Sequence, residues 1–383
     1  MAKLDEAFSI EDLKALAKKN VPSVMFDYLQ GGSEDELTLD WNRQAFNKYE
    51  FVPRVLRDVS KIDLSTEVQG VNINIPIITA PTGMSRMFHH LGEKAAVRAS
   101  HKAGTAYSLS TVSTTSIEDV AKESNGPLFF QIYAWKNKQM VTDFIQRCQK
   151  EKYDGLMLAV DLPSLGKRER DLKNGHGRPA VIRKNTALGA LSKPAWLYNF
   201  LTKPKWKMAN MVEHLPHGAD AMKVIDNVNA QFRADVDWKD AQEMVKLWNG
   251  KFMLKGIQSV EDAVKAAEIG ASGIVISNHG GRQLDGAPAP LDLLPEVVKA
   301  VGSDIEVLMD GGIMRGSDVI KAIALGAKSV LIGKAYLYGL AAGGEAGVDK
   351  TYEILTDEMT RVMQLIGCKS ISELNASYVQ KRS

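Results

Sequence analysis

Cysteine is scarce in this chain: two residues, Cys148 and Cys368, in 383. Two thiols cannot build a disulfide framework or a zinc ribbon, so the disulfide-stapled secreted folds are excluded and a reducing compartment is expected. No run approaches the roughly 18 apolar residues of a membrane-crossing helix, so none is expected. The opening Met-Ala-Lys-Leu-Asp-Glu-Ala-Phe is too acidic and too briefly apolar for a secretory signal. There is no excess of one charge either. Lys+Arg number 48 and Asp+Glu 46, a net +2, so a nucleic-acid binder of the polycation type is excluded and no such partner is expected. Hydrophobic residues make up 45%, which leaves ample core-forming material and excludes a disordered chain.

One absence is local. From Leu172 to Val212 there is no Asp or Glu, yet Lys173, Arg178, Arg183, Lys184, Lys193, Lys203, Lys205 and Lys207 all fall there. Without these eight the rest of the chain is net acidic. Trp196, Leu197, Tyr198, Phe200, Leu201 and Trp206 are interleaved with the charges. Cations are drawn to an anionic surface, and Trp and Tyr prefer the headgroup region. The segment is therefore expected to lie on a bilayer rather than cross it. A solvated lid over the active site, or a groove for an acidic redox partner, is the competing reading.

The first 70 or so residues read as helical, with a capped stretch from Ser9 to about Lys19 and another over Val24–Leu29. From Ile75 the texture changes. Short apolar runs near Ile75–Thr79, Thr105–Leu109, Leu128–Ile132, Leu156–Asp161, Phe252–Lys255, Gly273–Ser277, Glu306–Asp310 and Ser329–Gly333 alternate with helical patterns. The helical ones are Gly92–Ala103, Ile117–Lys122, Lys138–Lys152, Val260–Ile269, Leu291–Ala300, Ser317–Leu325 and Tyr352–Ile366. Near-continuous apolar strands alternating with helices predict a parallel sheet buried on both faces. Eight such units predict an α/β fold of the (β/α)8 TIM-barrel type, with a doubly wound open sheet as the alternative. Residues 1–383 then form a single domain, with an N-terminal helical segment over 1–70 and an insertion after strand 4 over about 163–237.

Polar residues close every strand: Thr82, Ser110, Gln131 and Tyr133, Asp161, Lys255, Ser277 and His279, Asp310-Gly311-Gly312, and Gly333-Lys334. In a barrel those ends converge on the active site. The most informative segment is Ser277-Asn278-His279-Gly280-Gly281-Arg282-Gln283-Leu284-Asp285. An imidazole takes up a proton near neutrality, and a guanidinium three residues on offers a fork for a carboxylate. Base and clamp at this spacing suit a substrate with a carboxylate beside its reacting carbon.

This segment resembles the signature of the FMN-dependent L-2-hydroxy acid dehydrogenases and oxidases, a family that includes glycolate oxidase, mandelate dehydrogenase and L-lactate dehydrogenase. Ala80-Pro81-Thr82-Gly83, Leu109-Ser110-Thr111, Phe130-Gln131-Ile132-Tyr133, Val160-Asp161 and Asp310-Gly311-Gly312 match in order, over about Phe8 to Val379. Length and insertion look most like the bacterial membrane-associated lactate and mandelate dehydrogenases. The resemblance implies FMN as cofactor and no metal. His279 would be the general base and Asp161 its orienting carboxylate. Arg282, Arg168, Tyr133 and Tyr28 would bind substrate. Lys255 would place a cation beside the flavin. Gln131, Ser110 and the backbone around Thr82-Gly83 would serve the flavin ring, and Pro81, Ser277 and Asp310 would be further cofactor-binding residues. Gly311, Gly312 and Gly333 would let backbone N–H groups approach the phosphate, and Arg315 and Lys334 would supply charge there. It also implies a homotetramer.

The chain departs from the family pattern in three places. Met314-Arg315 stands for Arg-Arg, Lys334 for Arg, and Ala159 for Thr. These changes predict altered FMN affinity more than altered chemistry. The expected reaction is oxidation of an L-2-hydroxy acid, L-lactate first, to the 2-keto acid. Whether the α-proton leaves first or the hydroxyl proton leaves with hydride stays open. Electrons are expected to pass to a membrane quinone, with the enzyme held at the cytoplasmic face of the cell membrane. A soluble oxidase using O₂, a flavin barrel acting on a bulkier or peptide-derived substrate, and a barrel that binds without turnover are the alternatives. The Gly175–Ala180 stretch follows no strand and is not read as a dinucleotide fingerprint. His89-His90 has no ligand neighbours at metal spacing.

Overall fold

The computed structural model describes residues 4–123, 125–175, 189–205, 207–211 and 231–382. Eight parallel strands close into a barrel: β1 (Ile77–Thr79), β2 (Tyr107–Ser110), β3 (Leu128–Tyr133), β4 (Gly155–Ala159), β5 (Lys251–Ile257), β6 (Gly273–Ile276), β7 (Glu306–Asp310) and β8 (Ser329–Ile332). Neighbours in sequence pair throughout, and β8 returns to β1 with Val330 opposite Ile77, which closes the ring. The expected barrel is the observed one.

The strands form because their apolar residues have somewhere to go on both faces. β1, β2, β3, β4, β6 and β8 are buried along their whole length. Alternate side chains such as Ile78, Phe129, Met157, Met253, Val275, Leu308 and Leu331 fill the barrel interior. Their neighbours, among them Ile77, Phe130, Leu156 and Ile274, join the outer core against the helices. A hairpin, Thr66–Val68 with Val71–Ile73, adds Val68 and Ile73 to the interior. Gln69 at its turn bonds Glu306 Oε2 at 2.9 Å, at the start of β7. The hairpin thus plugs the N-terminal end of the barrel and leaves the C-terminal rim as the open mouth.

Three helices precede the barrel: α1 (Ile10–Asn20), α2 (Ser23–Gln30) and α3 (Leu37–Gln44). Around it follow α4 (Glu93–Lys102), α5 (Ile117–Lys122) and α6 (Lys138–Lys150). The insertion carries α7 (Glu169–Lys173) and α8 (Pro194–Thr202). The ring is completed by α9 (Trp238–Trp248), α10 (Val260–Glu268), α11 (Pro290–Val301), α12 (Gly316–Ala324) and α13 (Lys334–Ile366). Ser9, Ser116, Asn137 and Ser259 cap α1, α5, α6 and α10 by accepting the N–H three residues on. Such caps make those helices legible in the sequence. By contrast α3 starts at Glu36 with φ 62° and no side-chain cap, and it carries no start signal. The first part of α13 is also unexpected, because Gly343-Gly344 interrupts it with non-helical backbone angles.

Candidate active site

The strand ends open into one cavity of about 1260 Å³. Past β6 the chain turns sharply: His279, Gly280 and Gly281 have φ of 59°, 64° and 75°. A left-handed histidine is uncommon, and this one is held from two sides. Its N–H donates to Ser277 Oγ at 3.1 Å, and ring Nδ1 lies 3.0 Å from Asp161 Oδ2. Asp161, just past β4, has its side chain 1% exposed. Room for it comes from β5, whose register slips between Lys255 and Ile257. Gly256 in that bulge has φ 107°, and a Cβ there would meet Asp161 Cβ at 2.7 Å. A side chain at 256 would expel the carboxylate.

Burial by itself would raise the Asp161 pKa. The charge and hydrogen bond of His279, with Lys255 beyond, outweigh it and hold the carboxyl below its ordinary value. With Nδ1 turned to Asp161, Nε2 is the nitrogen His279 offers to the cavity it lines.

Arg282 and Arg168 line the same cavity, as do Tyr28 and Tyr133. Arg282 Nη1 donates to the carbonyls of Tyr28 at 2.7 Å and Gly31 at 3.0 Å, and its guanidinium lies 4.8 Å over the Tyr28 ring. One edge of the fork is thus taken up by the end of α2, an anchoring role absent from the sequence reading. Arg168 finds Asp171 only at 3.9 Å. Desolvation, then the Arg168 charge, lowers the Arg282 pKa, so two like charges share one wall and an anion between them relieves both. Burial, then the Asp161 charge, raises the Tyr133 phenol well above its ordinary range, so it stays a hydroxyl donor.

At the other side of the cavity, Lys255 Nζ pairs with Asp310 Oδ2 at 2.6 Å and donates to Ser277 Oγ at 3.0 Å. Pro81, Thr82, Gly83, Ser110, Asp310, Gly311, Gly312, Gly333 and Lys334 also line it. The Thr82 hydroxyl bonds that of Tyr336. Ser277 stands behind the wall, holding Lys255 and the His279 backbone. Ser110 Oγ donates to Gln131 Oε1 at 2.9 Å. Two buried polar atoms here have no partner among the described residues: Gln131 Nε2 and Asp310 Oδ1. Asp310 lines the cavity with its orphan acceptor, and Gln131, which does not itself line it, holds its orphan donor behind Ser110; the two fit a flavin, whose ribityl hydroxyls donate and whose ring carbonyls accept. The residues present therefore fit FMN.

Arg315 departs from its expected place. It pairs with Glu358 and does not line the cavity. Lys334 lines it, but its Nζ is engaged by the carbonyls of Gln30 at 2.8 Å and Gly31 at 3.3 Å. The sequence reading missed Val112, Leu165 and Phe232 in the apolar wall, and Arg43 on α3; Trp196 and Phe200, named there in the basic aromatic segment, join the same wall. Arg178, Arg183, Lys184, Trp206 and most of Gly175–Ala180 lie outside the described residues. His89 is mostly buried and Nδ1 accepts the Leu91 N–H at 3.3 Å, a packing role.

The model of the FMN-dependent dehydrogenase family matches residues 17–381. A Mycobacterium tuberculosis protein provisionally named an L-lactate dehydrogenase is 40% identical over 98% of this chain and 90% of its own length. Glycolate oxidase of Spinacia oleracea is 38% identical over 98% of this chain and 96% of its own. Among solved structures, the monotopic membrane protein (S)-mandelate dehydrogenase superposes with a TM-score of 0.94 at 37% identity, covering 98% of this chain and 100% of that one. With its barrel, its histidine–aspartate pair and its flavin-fitting floor, this chain belongs to the FMN-dependent dehydrogenase family, an oxidoreductase that oxidises 2-hydroxy acids with FMN.

Proposed function

We propose that the substrate is an L-2-hydroxy acid, L-lactate first, and that the electrons go on to a membrane quinone. The observation that carries the substrate reading is the pairing, on one cavity, of His279 backed by Asp161 with the two cations Arg282 and Arg168. The arginines hold the carboxylate and so fix the α-carbon and its hydroxyl. Tyr133 and Tyr28 donate to substrate oxygens. His279 Nε2 takes a proton, and Asp161 stabilises the imidazolium that results. FMN, when bound, supplies the two-electron acceptor. Lys255 lends it positive charge, and Gln131 Nε2, Ser110, Thr82 and the backbone at Pro81 and Gly83 are the groups we assign to its ring. Bulkier acids such as mandelate are the second reading, favoured by the wall of Val112, Leu165, Trp196 and Phe232. The test is anaerobic mixing with a panel of L- and D-2-hydroxy acids while flavin absorbance is followed. Bleaching by none of them overturns the reading.

The membrane reading rests on α8. It contains no charged residue and no buried one. Trp196, Leu197 and Phe200 turn to the cavity, while Tyr198 is 66% and Leu201 70% exposed, with Leu191 before the helix at 66%. Lys193, Lys203, Lys205 and Lys207 flank them. No helix among the described residues is long and apolar enough to cross a membrane. An apolar face ringed by lysines docks on an anionic bilayer, at its cytoplasmic side in this reading. The mandelate dehydrogenase noted above is a monotopic membrane protein, which supports it. Flotation with anionic vesicles at low salt tests it, and an enzyme that stays in the soluble fraction returns α8 to the role of a lid. A homotetramer is the assembly we expect, checked by light scattering.

A further inference from the structure

We propose that Arg43, on α3 outside the barrel, contacts the phosphate of bound FMN and supplies the charge that position 314 lacks. The cavity has one end walled by glycine backbone: Gly311 and Gly312, with φ of 98° and 78°, and Gly333. There α13 begins without a side-chain cap, which leaves its first N–H groups without a side-chain acceptor after strands seven and eight, where barrels usually bind phosphate. A phosphate dianion at this end needs a cation.

The two cations nearest in sequence are committed elsewhere. Arg315 is paired with Glu358 away from the cavity, and the residue that does line the wall is neutral Met314. Lys334 directs its ammonium to the carbonyls of Gln30, Gly31 and Gly280, and burial drives its pKa well down. Arg43 is different. It lines the glycine end, and its Nη1 touches the Gly312 carbonyl and Asp318 Oδ2. Its Nε and Nη2 make no hydrogen bond among the described residues. The side chain is 44% exposed, free enough to turn its open edge toward an anion.

The placement is built from below. Asp318, 6% exposed, accepts the N–H groups of Met314 and Arg315 at 3.0 Å each as well as the Arg43 guanidinium. Arg43 is thus anchored to the same loop that would cradle the phosphate. The α3 backbone presses on Gly312 so closely that a Cβ there would come 2.2 Å from the Asn42 carbonyl. Asn42 and Asn278 exchange hydrogen bonds of 2.9 and 2.7 Å, which lock α3 to the turn bearing His279. The N-terminal segment is then part of the cofactor clasp, and Arg43 its charged element.

The test titrates apoprotein with FMN and, separately, with riboflavin, which lacks the phosphate, by fluorescence quenching. Arg43→Met should weaken FMN by about 10–100-fold, the worth of a charge-assisted contact, and leave riboflavin within about twofold. The dependence of FMN affinity on salt should flatten. Arg43→Gln keeps a donor for the Gly312 carbonyl but no charge, and should show the same selective loss if the methionine variant does not fold. Met314→Arg should improve FMN affinity more in the Arg43→Met background than in the wild type, because the two cations serve one anion. Equal weakening of FMN and riboflavin would make Arg43 a structural residue, and an unchanged FMN affinity would remove the contact altogether. Either result overturns the proposal.

Discussion

Asp161→Asn is the most direct test of the proposed catalytic pair, because it removes a charge and almost no volume. The amide fits the space that Gly256 leaves and can still hydrogen-bond to the His279 ring, so fold and FMN binding should survive. What is lost is the anion 3.0 Å from Nδ1 when Nε2 takes a proton. At an effective dielectric of about 20, that attraction is worth about 5 kcal/mol. The His279 side chain is 27% exposed, so solvent screens part of it, and about 3–4 kcal/mol is a fair expectation. At about 1.4 kcal/mol per decade, flavin reduction should slow by about 10²–10³-fold. The KM should move little, because Arg282 and Arg168 are untouched. Anaerobic stopped-flow reads the reduction step, and the bound-flavin spectrum confirms occupancy. A fully FMN-loaded Asp161→Asn variant that reduces its flavin within about fivefold of wild type would refute the reasoning.

Arg282→Lys loses the fork and both carbonyl anchors to the end of α2, so KM should rise about 10–100-fold with a fall in kcat, read from steady-state kinetics; an unchanged KM would return Arg282 to a purely structural role. Replacing Leu191, Tyr198 and Leu201 by Ser should release the enzyme from anionic vesicles while sparing flavin reduction by substrate, since these side chains face away from the cavity; retention on the vesicles would count against docking through α8. His89 is held neutral, its pKa pushed down to about 4 by burial and by His90. That value lies below the unfolded one near 6.5, so its contribution to stability is whole above about pH 6.5 and lost as pH falls through about 4. Discounted for partial exposure, it amounts to about 1–2 kcal/mol, so His89→Asn should flatten stability between about pH 7 and 4 by that much in denaturant titrations. A wild-type slope in the variant would locate the acid sensitivity elsewhere.

The sequence by itself determined the barrel and which residues reach its mouth, most of the candidate site among them. Burial on both faces writes a parallel strand as an apolar run, and closure of eight of them brings every strand end to one rim. His279, Asp161, Lys255, Ser110 and Asp310 were legible for that reason: each is fixed by its distance from the end of a strand. What the sequence could not decide was where flexible cations point and what the uncapped segments do. Arg315 sits one residue past the cavity wall and turns to Glu358, a partner 43 residues away. Arg43 reaches the glycine end from a helix without a start signal, held by Asp318 and Gly312 across about 270 residues of chain. Gly256 reads as an ordinary strand glycine until the bulge shows that Asp161 occupies its missing side chain. The apolar residues of α8 read as a loop of mixed character, and only the folded chain divides them into a cavity wall and an exposed face. Local pattern sets periodicity and burial, which are properties of a segment. The direction of a long side chain, and the room left for a buried carboxylate, depend on atoms that only the tertiary fold brings near.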